Sequence, residues 1–419
     1  MHYAEPPATW EEKEMDLSQE AFNKVEIWVV NEAVKEEIPP EQYGQFYSHH
    51  SYIVAHSYGS EGSPSTVVYF WQGRDCNKNE KGTSAALSMN LAKKMRGASQ
   101  IRVVQYKEPK QFLKLFRGKL ITHRMKKDDK FTGPAMYQIS GLGDSPDAAS
   151  ATQVQPISQL LNSRHSFVVL TSTGIYVWHG EYSTQNEHET AKKVLESLAK
   201  DYGYENLLDS VKDIKEGQEP AEFWNILGGK SEYSRNIKPG WVPKVFYFST
   251  ASGMVTAEPL FRYSQDDFTT ENVLLVDNFS EVYVWTGAKS RENEKKIAME
   301  TAIDYLSKAP ETRPNTAQVL TLKEGSEALN FIGLFVGWDV QSVGGQAESA
   351  SEALKEYSKT YTLQELKNKD SLPKTVDKSK LEMYLSNEEF KQVFGVDKQE
   401  WTKLPQWKQL PKKKEAGLY

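Results

Sequence analysis

Cysteine is almost absent: Cys76 stands alone in 419 residues, which excludes an internal disulfide and suits a reducing cytosol. No run of eighteen or more apolar residues occurs, and Met1 to Glu14 hold no apolar signal core, so neither a membrane helix nor a secretory leader is expected. Positive charge is not in excess. The 51 Lys and Arg against 57 Asp and Glu leave a net charge of −6, which argues against a general nucleic-acid binder. Familiar catalytic signatures are missing too. There is no HExxH or CxxC, and no Ser-His-Asp order, glycine-rich phosphate loop or paired carboxylates stand out, so an enzyme is not expected. The apolar fraction of 38% and charged fraction of 26% are those of a globular protein. The length suggests roughly three or four domains.

One stretch occurs three times. Tyr69-Phe70-Trp71-Gln72-Gly73 returns as Tyr176-Val177-Trp178-His179-Gly180 and as Tyr283-Val284-Trp285-Thr286-Gly287, with the tryptophans 107 residues apart at both steps. Glu80, Glu187 and Glu294 keep the same step, each opening a helical pattern. Such a period is too long for a solenoid unit and suits one small domain.

Each copy reads in one order: strands, a long helix, a strand, a short helix. In the first, Val25–Val30, Ser51–His56, Thr66–Trp71 and Ile101–Tyr106 are rich in β-branched and aromatic residues. A long helix is expected from Lys78 to Met95, and Pro109 opens a short one. In the second, Ala191, Val194, Leu195 and Leu198 recur at the spacing of a half-buried helix, and Gly228-Gly229 stops the short helix after Leu227. The third repeats the pattern through Tyr305 and Leu306 to Trp338. The expected organisation is a polar tail or linker over 1–24, repeats over 25–119, 130–229 and 241–339, a flexible Gly-, Ala-, Ser- and Glu-rich linker over 340–356, and a lysine-rich unit over 357–419. In that last unit Ser386-Asn387-Glu388-Glu389 reads as a capping box, Asp397 with Glu400 as a second helix start, and Pro405 as the opening of a final helix.

Val25-Glu26-Ile27-Trp28, Tyr43-Gly44-Gln45-Phe46-Tyr47, the Tyr-x-Trp-x-Gly strand and Lys107-Glu108-Pro109 follow one another, and the chain ends on Leu385-Ser386-Asn387-Glu388-Glu389-Phe390, Val393-Phe394-Gly395, Leu404-Pro405-Gln406-Trp407-Lys408-Gln409 and Gly417-Leu418-Tyr419. In combination these resemble the gelsolin/villin superfamily, specifically the second three-repeat half of its villin members with their headpiece. The resemblance implies an α+β fold: three gelsolin-like repeats, each a mixed central sheet between a long and a short helix, followed by a small all-α villin-headpiece domain. It implies a cytoplasmic, cytoskeletal protein that binds actin, often under calcium control, with the headpiece on the side of filaments. The family's severing machinery sits mainly in the first three repeats of six-repeat members. Bundling or capping is therefore expected here rather than severing. The rival reading is a scaffold on degenerate repeats that has lost actin, and a metal-dependent hydrolase stands further off. A phosphoinositide contact through basic segments stays open, with no motif in its support.

The resemblance also implies calcium positions, each pairing an acidic residue before a central strand with a glutamate at the start of the long helix. The glutamates match Glu80, Glu187 and Glu294, although acidic side chains favour a helix start in any case. The partner positions depart from the pattern: His50 and His165 stand in the first two repeats, and Asn272 after Glu271 in the third. Imidazole is a poor ligand for hard calcium, whereas an amide carbonyl is acceptable. At most one good calcium site is expected, at Glu271, Asn272 and Glu294, with Glu80 and Glu187 doubtful. A zinc reading of His49, His50, His56 and Cys76 matches no usual spacing.

For the headpiece, the resemblance gives Glu382 and Lys413 as a buried ion pair joining two subdomains. It gives Trp407 as an exposed hydrophobic cap, with Lys380, Lys408, Lys412, Lys414, Leu418 and Tyr419 around it as the actin-binding surface. Lysines and an exposed tryptophan suit an acidic filament. Two residues depart: Leu381 stands where a lysine is usual, and Pro411 falls inside the last helix. A kink there is expected to turn Lys412 to Lys414 away from Trp407.

Overall fold

A computed structural model describes residues 22–419 except 61, 96–97, 128, 130–131, 143–146, 236–237, 252, 310–311 and 341–344. The expected N-terminal tail lies, up to residue 21, outside the described residues.

The first repeat forms strands β1 (Phe22–Asn31), β2 (Val34–Glu37), β3 (Gln45–Tyr47), β4 (Ser51–Ser60) and β5 (Ser63–Gln72), helix α1 (Lys78–Lys94), β6 (Ser99–Val104), α2 (Lys110–Lys114) and β7 (Leu120–His123). The second forms β8 (Ala135–Gly141), β9 (Ala149–Val154), β10 (Ser166–Thr171), β11 (Gly174–His179), α3 (Gln185–Tyr202), β12 (Lys212–Lys215) and α4 (Ala221–Ile226). The third forms β13 (Lys244–Ser249), β14 (Thr256–Leu260), β15 (Val273–Asp277), β16 (Glu281–Thr286), α5 (Glu292–Ser307), β17 (Gln318–Lys323) and α6 (Leu329–Ile332), followed by β18 (Glu348–Ser349) and α7 (Ala350–Tyr357). The C-terminal helices are α8 (Leu363–Lys367), α9 (Asn387–Phe394), α10 (Lys398–Lys403) and α11 (Gln406–Glu415).

One ladder recurs in each repeat: β2-β1-β4-β5-β6, β9-β8-β10-β11-β12 and β14-β13-β15-β16-β17. The first four strands of each are antiparallel neighbours. The fifth joins in parallel, because the long helix α1, α3 or α5 carries the chain across. The tryptophan strand sits fourth, flanked on both sides. Its indole is therefore shut away, with Trp71 and Trp178 at 0% and Trp285 at 1% exposure. The mixed sheet between helices and the all-α end are as the sequence leads one to expect.

Two arrangements differ from that expectation. β3, which lies between β2 and β4, and β7, which follows α2, leave the first repeat's sheet and extend the second to β12-β11-β10-β8-β9-β7-β3. β7 runs parallel to β9 through Leu120↔Ser150 and Ile121↔Ala151. All four residues of β7 are buried, and its two edges are satisfied by pairing with β9 and β3. The second difference lies in the expected linker. Within 340–356 the chain is ordered as β18 and α7, with Ala350 fully buried and Ala353, Leu354 and Tyr357 packed against Ala298, Met299 and Ala302. Two alanines on the packed side let the helix lie close, a stripe too weakly apolar to show in composition.

Backbone contacts divide the chain into two compact units, the first taking residues up to Gly240 with Arg262–Gln265 and Leu329–Val340, the second Trp241–Phe261, Asp266–Ala328 and Gln341–Tyr419. In the first, the sheet carrying Trp71 is buried on both faces, against Phe112, Leu113 and Phe116 on one side and Ala92 of α1 on the other. In the second, the headpiece packs Leu366, Val376, Leu381, Leu385, Phe390, Phe394, Trp401 and Leu418 together. Leu381, in the lysine position, is thus a core residue. α9 begins on Ser386, whose hydroxyl accepts the Glu389 amide, but the reciprocal half of the expected box is not made. The Glu389 carboxylate accepts the Leu363 amide at 2.9 Å instead, tying α9 to the start of α8.

Candidate functional site

The repeated stretch builds the same turn three times. The amides of Gly73, Gly180 and Gly287 donate to the carbonyls of His50, His165 and Asn272 at 3.1, 3.1 and 2.9 Å. These are the positions where the resemblance places acidic calcium ligands. Two residues on, Asp75, Tyr182 and Lys289 donate to Ser48, Ser163 and Thr270 at 3.0, 2.8 and 2.8 Å. The strand end therefore lies on the preceding loop so closely that a Cβ at the glycine would sit 2.1, 2.6 or 2.3 Å from the carbonyl oxygen of Ser48, Ser163 or Thr270. Glycine is required by contact there, not by its dihedral freedom.

Beneath the turn each indole N–H donates to a carboxylate: Trp71 to Glu108 at 2.8 Å, Trp178 to Glu219 at 2.8 Å and Trp285 to Glu327 at 2.9 Å. Sequence reasoning missed these pairs. The available signal was the Glu-Pro step that opens the short helix in the first two repeats, Glu108-Pro109 and Glu219-Pro220. Burial pushes the Glu108 carboxyl up to about 7, against the opposing pull of the Trp71 hydrogen bond.

The three helix-start glutamates meet different partners. Glu80 accepts a long contact from the Cys76 thiol at 3.3 Å, and burial pushes that thiol up to about 11, the unreactive form. Glu187 is 2% exposed, and its carboxylate takes hydrogen bonds from His165 Nδ1 at 2.7 Å and from the Thr184 amide at 3.0 Å. Glu294 accepts the Thr250 amide at 2.9 Å, while Asn272 Oδ1 accepts the Tyr247 hydroxyl at 3.2 Å and Glu271 is exposed. Among the described residues no three His, Cys, Asp or Glu side chains converge as a metal site. In the second repeat an imidazole hydrogen fills the place a cation would take, so these residues do not fit calcium. In the third, Glu294 Oε1 and Asn272 Oδ1 already accept a protein N–H and O–H, while Glu271 is exposed. Of the histidines weighed for zinc, His56 is buried against Asn23 Oδ1 at 3.0 Å, and burial pushes its imidazole down to about 4.

The headpiece surface is built on α11. Pro405 caps its start, and the helix runs on through Pro411, its sixth residue. At Pro411 the helix lacks the one bond that the missing N–H would donate, in the second turn. The three lysines after it meet distinct partners, Lys412 and Lys414 remaining exposed and Lys413 partly buried. Lys412 Nζ donates to the Phe394 carbonyl at 3.0 Å, closing the end of α9, and Lys414 Nζ lies 4.7 Å from the Tyr419 ring centroid. Lys413 Nζ sits 2.8 Å from Glu382 Oε2, with the side chains 12% and 4% exposed, and donates to the Ser379 carbonyl at 2.7 Å. The Trp401 indole meets the other carboxylate oxygen at 3.4 Å.

Trp407 is 70% exposed, with Lys408 Nζ 5.1 Å from its ring centroid. Leu410, Pro411 and Lys414 follow Trp407 at helical spacing on one face, and Leu410, which the sequence reading did not single out, is also exposed. Lys380 and Tyr419 are exposed as well. Leu418 is not: it is 1% exposed, in the core. Gly417 turns left-handed at φ 75°, and the Gly417 and Leu418 amides bond back to Lys414 and Lys413 at 3.1 and 2.8 Å, which folds the leucine under the helix end. Its removal from the expected contact surface is a correction.

This geometry defines a class: a thrice-repeated sheet-and-helix domain with a compact helical end that exposes a tryptophan among lysines. Residues 384–419 match the villin headpiece domain model, 255–332 the gelsolin repeat model, and 26–124 a domain of unknown function, DUF7904. Gelsolin of Xenopus laevis is 35% identical over 336 residues, 77% of this chain and 78% of its own length. Villidin of Dictyostelium discoideum is 33% identical over 94% of this chain and 24% of its own length, and advillin of Mus musculus 28% identical over 100% and 54%. The chain belongs to the gelsolin/villin family. It spans about a quarter of villidin and about half of advillin.

Proposed function

We propose that this chain is a non-enzymatic, cytoskeletal actin-binding protein of the cytoplasm. Its headpiece binds the side of filaments, and its repeats, taken as 25–119, 130–229 and 241–339, make a second actin contact. The two together bundle or cap filaments rather than sever them, with weak or reduced calcium control. The observation that carries the reading is Trp407, 70% exposed on a lysine-bearing helix that Glu382 and Lys413 pin to the rest of the headpiece. A large aromatic left in water beside cations is costly unless a partner covers it, and this is the residue type that anchors interfaces. Family membership supports the same reading. The test is co-sedimentation with filamentous actin, with and without calcium. Wild type is expected to pellet in both, and Trp407→Ala and Lys408→Glu each to weaken binding on the order of ten-fold or more with little change in folding midpoint. No pelleting under either condition overturns the reading.

A further inference from the structure

We infer that Gly345–Tyr357 is a reversible strap, docked on the α5 and β17 side of the third repeat, whose release lengthens the lead to the headpiece. The docking surface is specific. A Cβ at residue 345 would fall 1.8 Å from the Ser326 carbonyl oxygen, so only glycine passes that point. β18 then adds to the free edge of β17 through Leu320↔Ser349 and Thr321↔Glu348. Ala350 is fully buried, and Ala353, Leu354 and Tyr357 lie on the apolar cluster formed with α5. The Tyr357 hydroxyl donates to Glu292 Oε2 at 2.6 Å, joining the last residue of α7 to the first of α5.

The hold is also weak. α7 has eight residues, well short of the ~12–15 at which an isolated helix becomes marginal in water. Its buried face is small, because two of its four packed residues are alanines. Its outer residues Ser351, Glu352 and Glu356 are content in water, and Lys355 pairs with Glu352 of the same helix at 2.7 Å. Few buried apolar contacts and one short edge pairing are the marks of a segment that opens before its domain does. Docked, residues 358–361 alone separate α7 from Thr362, the cap of α8, a reach of at most roughly 14 Å. Released, the thirteen residues of the strap add up to roughly 45 Å. On the actin reading this sets how far apart two bound filaments can lie, but the strap itself does not depend on that reading.

Hydrogen exchange on the full chain, without actin, tests it. Amides of 353–357 are expected to be protected, yet to exchange faster than those of Ala298–Tyr305 in α5. Tyr357→Phe, which removes only the hydroxyl, is expected to speed exchange in α7 about ten-fold and leave α5 and α9 unchanged. Exchange in α7 as slow as in α5, and unmoved by the substitution, shows an integral part of the repeat and overturns the proposal. Absence of protection in the wild type overturns it from the other side.

Discussion

A carboxylate under an indole is an expensive arrangement when the carboxylate is enclosed, and Glu108 shows it most plainly. Its acid form is favoured up to about pH 7 in the folded chain, against about 4.3 in an unfolded one. The folded state thus holds the extra proton between those values. Its contribution to stability is fully present below about pH 4.3, falls as pH rises to 7, and stays lost above. Glu108→Gln keeps an oxygen for the Trp71 indole without the charge. The urea midpoint of the variant is expected to exceed that of wild type at pH 8, with the difference closing toward pH 5; a difference independent of pH would refute the assignment. The calcium positions give a second expectation at this scale. Because Glu187 is closed by His165 and Glu80 faces a thiol, titration calorimetry is expected to find at most one calcium per chain. Glu294→Gln should abolish that heat, and Glu80→Gln should leave it; three comparable sites would defeat the argument. The glutamates were legible in the sequence because they recur at the same step. Their partners were not, since a histidine twenty-two residues away shows nothing of which nitrogen meets which oxygen.

Among the elements, those with strong local signals were readable: the tryptophan strands, the long helices with their apolar stripe, and the proline-opened helix α11. Elements that depend on distant pairing were not. β3 and β7 are short; β7 is placed by pairing with β9 beyond it in the chain, and β3 by pairing with β7. The same holds for Asp339, whose carboxylate meets Arg74 Nη1 at 2.6 Å and also Arg124, across separations of 265 and 215 residues. α7 escaped because alanine packs well and reads as linker. Leu418 escaped because the turn at Gly417 reverses its direction. Within the headpiece, Glu382 and Lys413 are both nearly enclosed, so removing one charge strands the other. Glu382→Gln is expected to cost about 3 kcal/mol or more, read as a fall in the headpiece's denaturation midpoint. An unmoved midpoint would show that solvent already screens the pair.

For the molecule as a whole, the expectation concerns filaments. Immobilised actin filaments imaged with this chain at saturating concentration should show bundles or blocked ends without an increase in breaks; frequent breaks would refute the proposed mode. The three-copy architecture itself was legible, because a period of 107 residues marks a domain however its strands are ordered. What the period conceals is that the copies are not separable. Deleting the first one would take β3 and β7 with it and strip the outer side of β9. A bare strand of that kind invites pairing between molecules. Loss of this segment is therefore expected to yield an aggregation-prone protein rather than a shorter working one.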